Sequence, residues 1–87
     1  MPYRILLEAK AEKNLEKLPK EVQKRITQRI LNLKDTPRPF GVTKINTANE
    51  WYRVRVGDWR ILYEIDDKAK KIIVLRVRHR KEVYKNL

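Results

Sequence analysis

Read from the N-terminus, apolar positions first cluster in Tyr3–Leu7, a run long enough for one strand. From Glu8 to Leu18 they thin to Ala11, Leu15 and Leu18 with Glu and Lys between them, the spacing of an amphipathic helix that Pro19 interrupts. Pro19 suits the first turn of a second helix, where its missing N–H has no intrahelical partner to lose. Val22, Ile26, Ile30 and Leu33 then follow one stripe to about Lys34, so the two segments predict a helical hairpin with one buried face. Between Asp35 and Glu50 the chain carries Pro37, Pro39, Gly41, Asn46 and Asn49 without a sustained period, and a long loop is expected there.

The pattern then switches to strands. Trp51–Val56, Trp59–Ile65 and Lys71–Arg78 are rich in β-branched and aromatic residues. Gly57-Asp58 fits a two-residue hairpin turn and Asp66–Lys70 a looser one. The expected fold is α+β: an N-terminal strand, a helical hairpin, a three-stranded antiparallel meander, and a short C-terminal helix in the tail from Arg80, all in one domain spanning 1–87. Alternation puts Tyr52, Val54 and Val56 on one face and Trp51, Arg53 and Arg55 on the other. In the next strand Trp59, Ile61, Tyr63 and Ile65 take the core side, leaving Arg60, Leu62 and Glu64 opposite. The same parity assigns Ile73, Leu75 and Val77 to the core and Ile72, Val74, Arg76 and Arg78 to the outer face.

Charge sharpens this picture. The 87 residues hold 22 Lys plus Arg against 11 Asp plus Glu, a formal net charge of +11. Self-repulsion of that size works against compactness, and a polyphosphate is the commonest partner that relieves it. Without cysteine, disulfides and thiolate metal sites are excluded, and the single histidine has no nearby acidic cluster, so neither a metal nor a cofactor is expected. No apolar run approaches the roughly 20 residues of a membrane-spanning helix, and a cytoplasmic protein is expected.

The meander indicates where a polyanion would sit. If Gly57-Asp58 is the turn, Arg55 lies directly opposite Arg60, and the next hairpin brings Arg76 or Arg78 beside them. Like charges opposed across strands destabilise a sheet. Any one surface arginine would extend into water or pair with Glu64. A row of them, with Trp51 available to stack on a base, suits single-stranded RNA better than duplex DNA.

The segment Trp51-Tyr52-Arg53-Val54-Arg55-Val56-Gly57-Asp58-Trp59-Arg60-Ile61-Leu62-Tyr63, followed by Val77-Arg78-His79-Arg80-Lys81-Glu82-Val83-Tyr84, resembles the signature of the RelE/ParE toxin superfamily. The resemblance extends to element order over nearly the whole chain. It implies a RelE-like fold and an mRNA interferase that enters the ribosomal A site and cuts mRNA there. Cleavage by attack of a ribose 2′-OH needs no metal, and a cognate RelB-like antitoxin would hold the toxin inactive in a hetero-oligomer. The alternatives are the ParE branch, which poisons DNA gyrase, and a non-catalytic RNA-binding module.

By the same resemblance, Arg60 and Arg80 match the family's phosphate-handling arginines and Tyr84 its C-terminal tyrosine near the scissile nucleotide. His79, whose unperturbed pKa is near neutrality, is a further candidate for proton transfer and equally for a structural or phosphate-binding role. Arg53 and Arg55 stand where RelE has lysines; a guanidinium stays protonated and stabilises charge without accepting a proton. With Trp51, Arg76, Arg78 and Lys81 they complete the expected RNA-binding set. Ile45-Asn46-Thr47 stands where the family often has a Leu-x-Gly turn.

Overall fold

The computed structural model describes residues 2–46 and 48–82. Its elements are β1 (Arg4–Leu7), α1 (Ala9–Glu16), α2 (Lys20–Asn32), β2 (Thr43–Asn46), β3 (Trp51–Val56), β4 (Trp59–Asp66), β5 (Lys71–His79) and a 3-10 turn, Arg80–Glu82. The strands form a single sheet in the order β1-β5-β4-β3-β2. β1 runs parallel to β5, and every other neighbouring pair is antiparallel.

Pro19 occupies the N-cap of α2, just before the first turn in which the sequence reading places it. Its carbonyl accepts the Gln23 N–H at 2.9 Å, and the Gln23 side-chain amide donates back to the Leu18 carbonyl at 2.9 Å. The α1–α2 junction is thereby closed by backbone groups that helix termini otherwise leave open. Ala11, Ile26 and Ile30 from the helices, with Leu33 at the end of α2, pack on Tyr52, Val54, Ile61, Tyr63 and Ile65, so the hairpin covers one face of the sheet.

Two expectations need correction. The stretch Asp35–Glu50 is not all loop, because Thr43–Asn46 pairs with β3 as an edge strand with a shifted register between Lys44 and Asn46. Thr43–Asn46 is only four residues long with Ile45 its one apolar side chain, too little alternation to reveal a strand. A Lys44–Glu50 ion pair at 3.0 Å spans its connection to β3.

The second correction concerns β5. Tyr63 pairs with Val74 but Leu62 with Arg76, leaving Leu75 as an extra residue in the ladder. Such a bulge inverts the parity on one side of it. Ile72 and Val74 therefore face the core, while Ile73 and Leu75 lie on the outer face. Beyond the bulge Val77 is in the core and Arg76 and Arg78 are outside, as alternation predicts. Leu75 and Leu62 are buried on the outer face, a small apolar island among the arginines. The side-chain carbonyl of Asn14 in α1 accepts the Val77 N–H at 3.1 Å, tying α1 to β5 just past the bulge.

Candidate nucleic-acid interface

The site is built by the β3–β4 hairpin. Gly57 has φ +60° whereas Asp58 is not among the positive-φ residues, the pattern of a Gly-first two-residue turn. That tight turn fixes the register: Arg55 pairs with Arg60, and Arg60 with Arg78 on its other side. Three arginines thus share one row across three strands on the face away from the helices. The next row inwards is Arg53, Leu62 and Arg76, and Trp51 lies on the same face beside Glu64. Four residue steps along the strand separate Trp51 from Arg55, about 13 Å at the usual rise.

Arg60 is the most constrained cation of the row. Its Nε and Nη1 are closed to solvent and have no hydrogen-bond partner among the described residues, and no pair with Glu64 forms. Burial, and then the charges of Arg60 and Arg55, pull the neighbouring Arg53 guanidinium below its ordinary pKa. The row is therefore a concentration of positive charge that no described residue compensates at Arg60, in a partly desolvated setting where an arriving anion is held most strongly.

The remaining predicted residues divide into several groups. Arg80 joins the row's end of the sheet: its N–H donates to the Asp58 carbonyl at 2.8 Å, and its Nε lies 3.9 Å from an Asp58 carboxylate oxygen. Arg76 faces outwards but is engaged, its Nη1 3.0 Å from Glu8, with only 14% of the side chain exposed. His79 pairs with Trp59 and meets it edge-to-face at 5.0 Å between centroids. Trp59 packs on the core, so His79 falls on the helix-facing side, away from Arg60. Its Nδ1 accepts the Lys81 N–H at 3.3 Å, and Lys81 itself is exposed on the turn that follows. Tyr84 lies outside the described residues. Among the described residues no group of three or more His, Cys, Asp or Glu side chains is placed to hold a metal ion.

A second polar constellation has no counterpart among the sequence-predicted residues. Arg38 Nη2 lies 2.9 Å from Asp67, which also accepts the Tyr3 hydroxyl at 2.6 Å. Arg38 Nε donates to the Tyr52 hydroxyl at 3.0 Å, and that hydroxyl donates to Glu50 at 2.7 Å. Hydrogen bonds from Arg38 and then Tyr3 hold the Asp67 carboxyl below the usual range, and those from Tyr52 and then Lys44 do the same for Glu50. The bond to Asp67, ahead of that to Tyr52, raises Arg38. Tyr63, pushed upwards chiefly by burial, donates to the Pro37 carbonyl at 2.7 Å. Together these contacts pin the segment after α2 to the sheet. They join residues up to 64 positions apart, and no local motif in the sequence announces them.

A family model described as the ParE toxin of the type II toxin-antitoxin system parDE matches residues 5–84. The toxin RelG of Mycobacterium tuberculosis is 29% identical over 86 residues, covering 98% of this chain and 99% of the relative. The archaeal RelE–RelB complex from Pyrococcus horikoshii contains a chain of TM-score 0.82 and 33% identity, with 92% of this chain and 97% of that one covered. For the RelB–RelE complex from Methanococcus jannaschii the TM-score is 0.72 and the identity 30%, covering 91% and 94%. The chain belongs to the RelE/ParE superfamily, as a RelE-like toxin of a type II toxin-antitoxin system.

Proposed function

We propose that this chain is a metal-independent endoribonuclease that cleaves mRNA in the ribosomal A site and so stops translation. The observation that carries the reading is the Arg55–Arg60–Arg78 row, in which the half-buried Arg60 guanidinium has two nitrogens without a partner. In the proposed reaction a ribose 2′-OH attacks the adjacent phosphodiester. The P–O bond to the 5′ oxygen of the next nucleotide breaks, leaving a cyclic phosphate and, after protonation, a free 5′-OH. Negative charge accumulates on the phosphoryl oxygens, where preorganised cations lower the barrier most. Arg60 and Arg80 take that role, and Arg53, Arg55, Arg78 and Lys81 hold the backbone while Trp51 stacks on a base. Proton transfer falls to Tyr84; His79, turned towards Trp59, serves better as support for the turn carrying Arg80 and Lys81.

The protein would act in the cytoplasm as one domain, held inactive by a RelB-like antitoxin. That partner is supported by the relatives from P. horikoshii and M. jannaschii, both seen as toxin-antitoxin complexes. Among the described residues no helix is long and apolar enough to cross a membrane. The name of the matching family model favours a second reading, a gyrase-directed toxin. Purified protein added to programmed ribosomes separates the two. The nuclease cuts mRNA on the ribosome and barely touches the same RNA alone, whereas intact mRNA with inhibited gyrase supercoiling selects the second reading. Binding of RNA with neither effect would leave a non-catalytic module.

A further inference from the structure

The outer arginine face accounts for only part of the positive charge. On the opposite side of the β3–β4 turn, an open cleft of about 480 Å³ lies along α2, lined by Lys24, Arg25, Gln28, Arg29, Asn32 and Val56. These described lining residues supply three cations and two amides, with no carboxylate. Arg29 makes no hydrogen bond or ion pair with any described residue, Asp35 of the adjoining cleft included, and its Nε is closed to solvent. Keeping a guanidinium in that state costs stability unless something else supplies the acceptors. Lys24 and Arg25 likewise have no ion-pair partner among the described residues.

The cleft and the arginine row meet at the turn. A Cβ on Gly57 would stand 3.3 Å from an Arg25 guanidinium nitrogen, so Arg25 lies against the turn. Arg55, paired with Arg60, is two residues before Gly57 on the outer face. Cations therefore continue from one side of the sheet to the other around a single glycine.

We infer that the α2 cleft is a second phosphate-binding site, taking the backbone of the RNA as it leaves the arginine face around the Gly57 turn. Arginine forks, a lysine and side-chain amides are the groups that bind phosphate oxygens and fix register without reading bases. An acidic protein segment would also be attracted, but a protein partner needs apolar anchors in pockets, and Val56 is the only apolar residue among those described in this lining. The inference rests on the RNA reading of the arginine face and adds where the strand goes next.

The test uses the full chain and a labelled single-stranded RNA, with affinity measured across a salt series. Lys24→Gln with Arg25→Gln alters exposed positions that leave the core intact, and Arg29→Gln probes the orphaned guanidinium separately. Each is expected to bind RNA about tenfold more weakly. The slope of log K against log salt should fall by about 0.7 for each phosphate that is no longer neutralised. Affinity for the antitoxin should be unchanged. Arg55→Gln, run alongside, reports on the outer face. A slope reduced in Arg55→Gln but kept in both cleft variants overturns the cleft and spares the arginine face. Cleft variants that keep RNA affinity but lose antitoxin binding also overturn it, giving the cleft to the protein partner. Slope differences between wild type and the cleft variants, with no cleavage by wild type on programmed ribosomes, defeat the nuclease reading and leave the cleft standing.

Discussion

Arg55 and Arg60 are direct cross-strand partners in the β3–β4 hairpin, and Arg60 has Arg78 opposite it on its other flank. Positions so paired usually carry attractive contacts, and a favourable pair contributes roughly 0.2–1 kcal/mol. Here the sign is reversed at the centre of the sheet, and the burial of two Arg60 nitrogens without partners adds to the cost.

Arg60→Gln should hold or raise the denaturation midpoint at low salt while mRNA cleavage falls by about 10²–10³-fold, the usual effect of removing one preorganised donor. The stability gain should shrink in part as salt rises, because Arg55 is exposed and Arg60 only half-buried, so their repulsion is partly screened. Thermal melts at two ionic strengths beside a cleavage assay read both effects. A variant that is clearly destabilised but fully active would make Arg60 a structural residue and move the site elsewhere.

Tyr63→Phe removes one atom from the core, the hydroxyl that donates to the Pro37 carbonyl at 2.7 Å. The ring still fills its place against Tyr52, whose centroid is 6.0 Å away. The expected loss is therefore that of one hydrogen bond, about 0.5–1.5 kcal/mol, rather than that of a cavity. Amide exchange should quicken in the segment after α2 before it changes in the strands. Uniform quickening would mean that this hydrogen bond anchors the whole domain.

Acid should loosen the same segment. The folded-state pKa of Asp67 is depressed by Arg38 and Tyr3, and that of Glu50 by Tyr52 and Lys44. Groups shifted in this direction contribute stability that is present above their unfolded values, about 3.9 and 4.3, and is lost as pH falls through the folded ones. Melting temperature should drop below about pH 4, and Asp67→Asn should melt lower at neutral pH with a shallower acid limb. Both carboxylates are well exposed, so the effect will be modest. An unchanged limb in Asp67→Asn would take Asp67 out of the linkage.

Much of this arrangement is legible in the sequence wherever a local signal sets the geometry. Gly57-Asp58 fixes a two-residue turn, and everything about the Arg55–Arg60 apposition follows from it. The bulge at Leu75 has no such signal, because Ile72, Ile73, Val74 and Leu75 are all apolar and either parity buries something. β2 is hidden because four residues with Ile45 as the one apolar side chain are too few to show a period. The cleft on α2 is hidden for a different reason: Lys24, Arg25 and Arg29 look like an ordinary solvated helix face until the Gly57 turn is seen beside them.

His79 tests how far the residue type alone carries a mechanism. It is the only histidine and sits between two arginines in the sequence, yet its ring meets Trp59 edge-to-face, and its Nδ1 accepts the Lys81 N–H. An imidazole committed in that way holds the turn carrying Arg80 and Lys81, and strand parity turns it from the Arg60 side. His79→Phe should keep the ring packing, an edge-to-face pair contributing about 0.5–1.5 kcal/mol, and lose only the acceptor. Cleavage should then fall by less than about tenfold, well short of the roughly 10²–10⁴-fold that loss of a general base produces. The pH–rate profile should keep its shape through neutrality, while His79→Ala lowers the melting temperature. A rate loss of the larger size in His79→Phe, with its melting curve unchanged and the neutral limb of the profile gone, would return the proton transfer to His79.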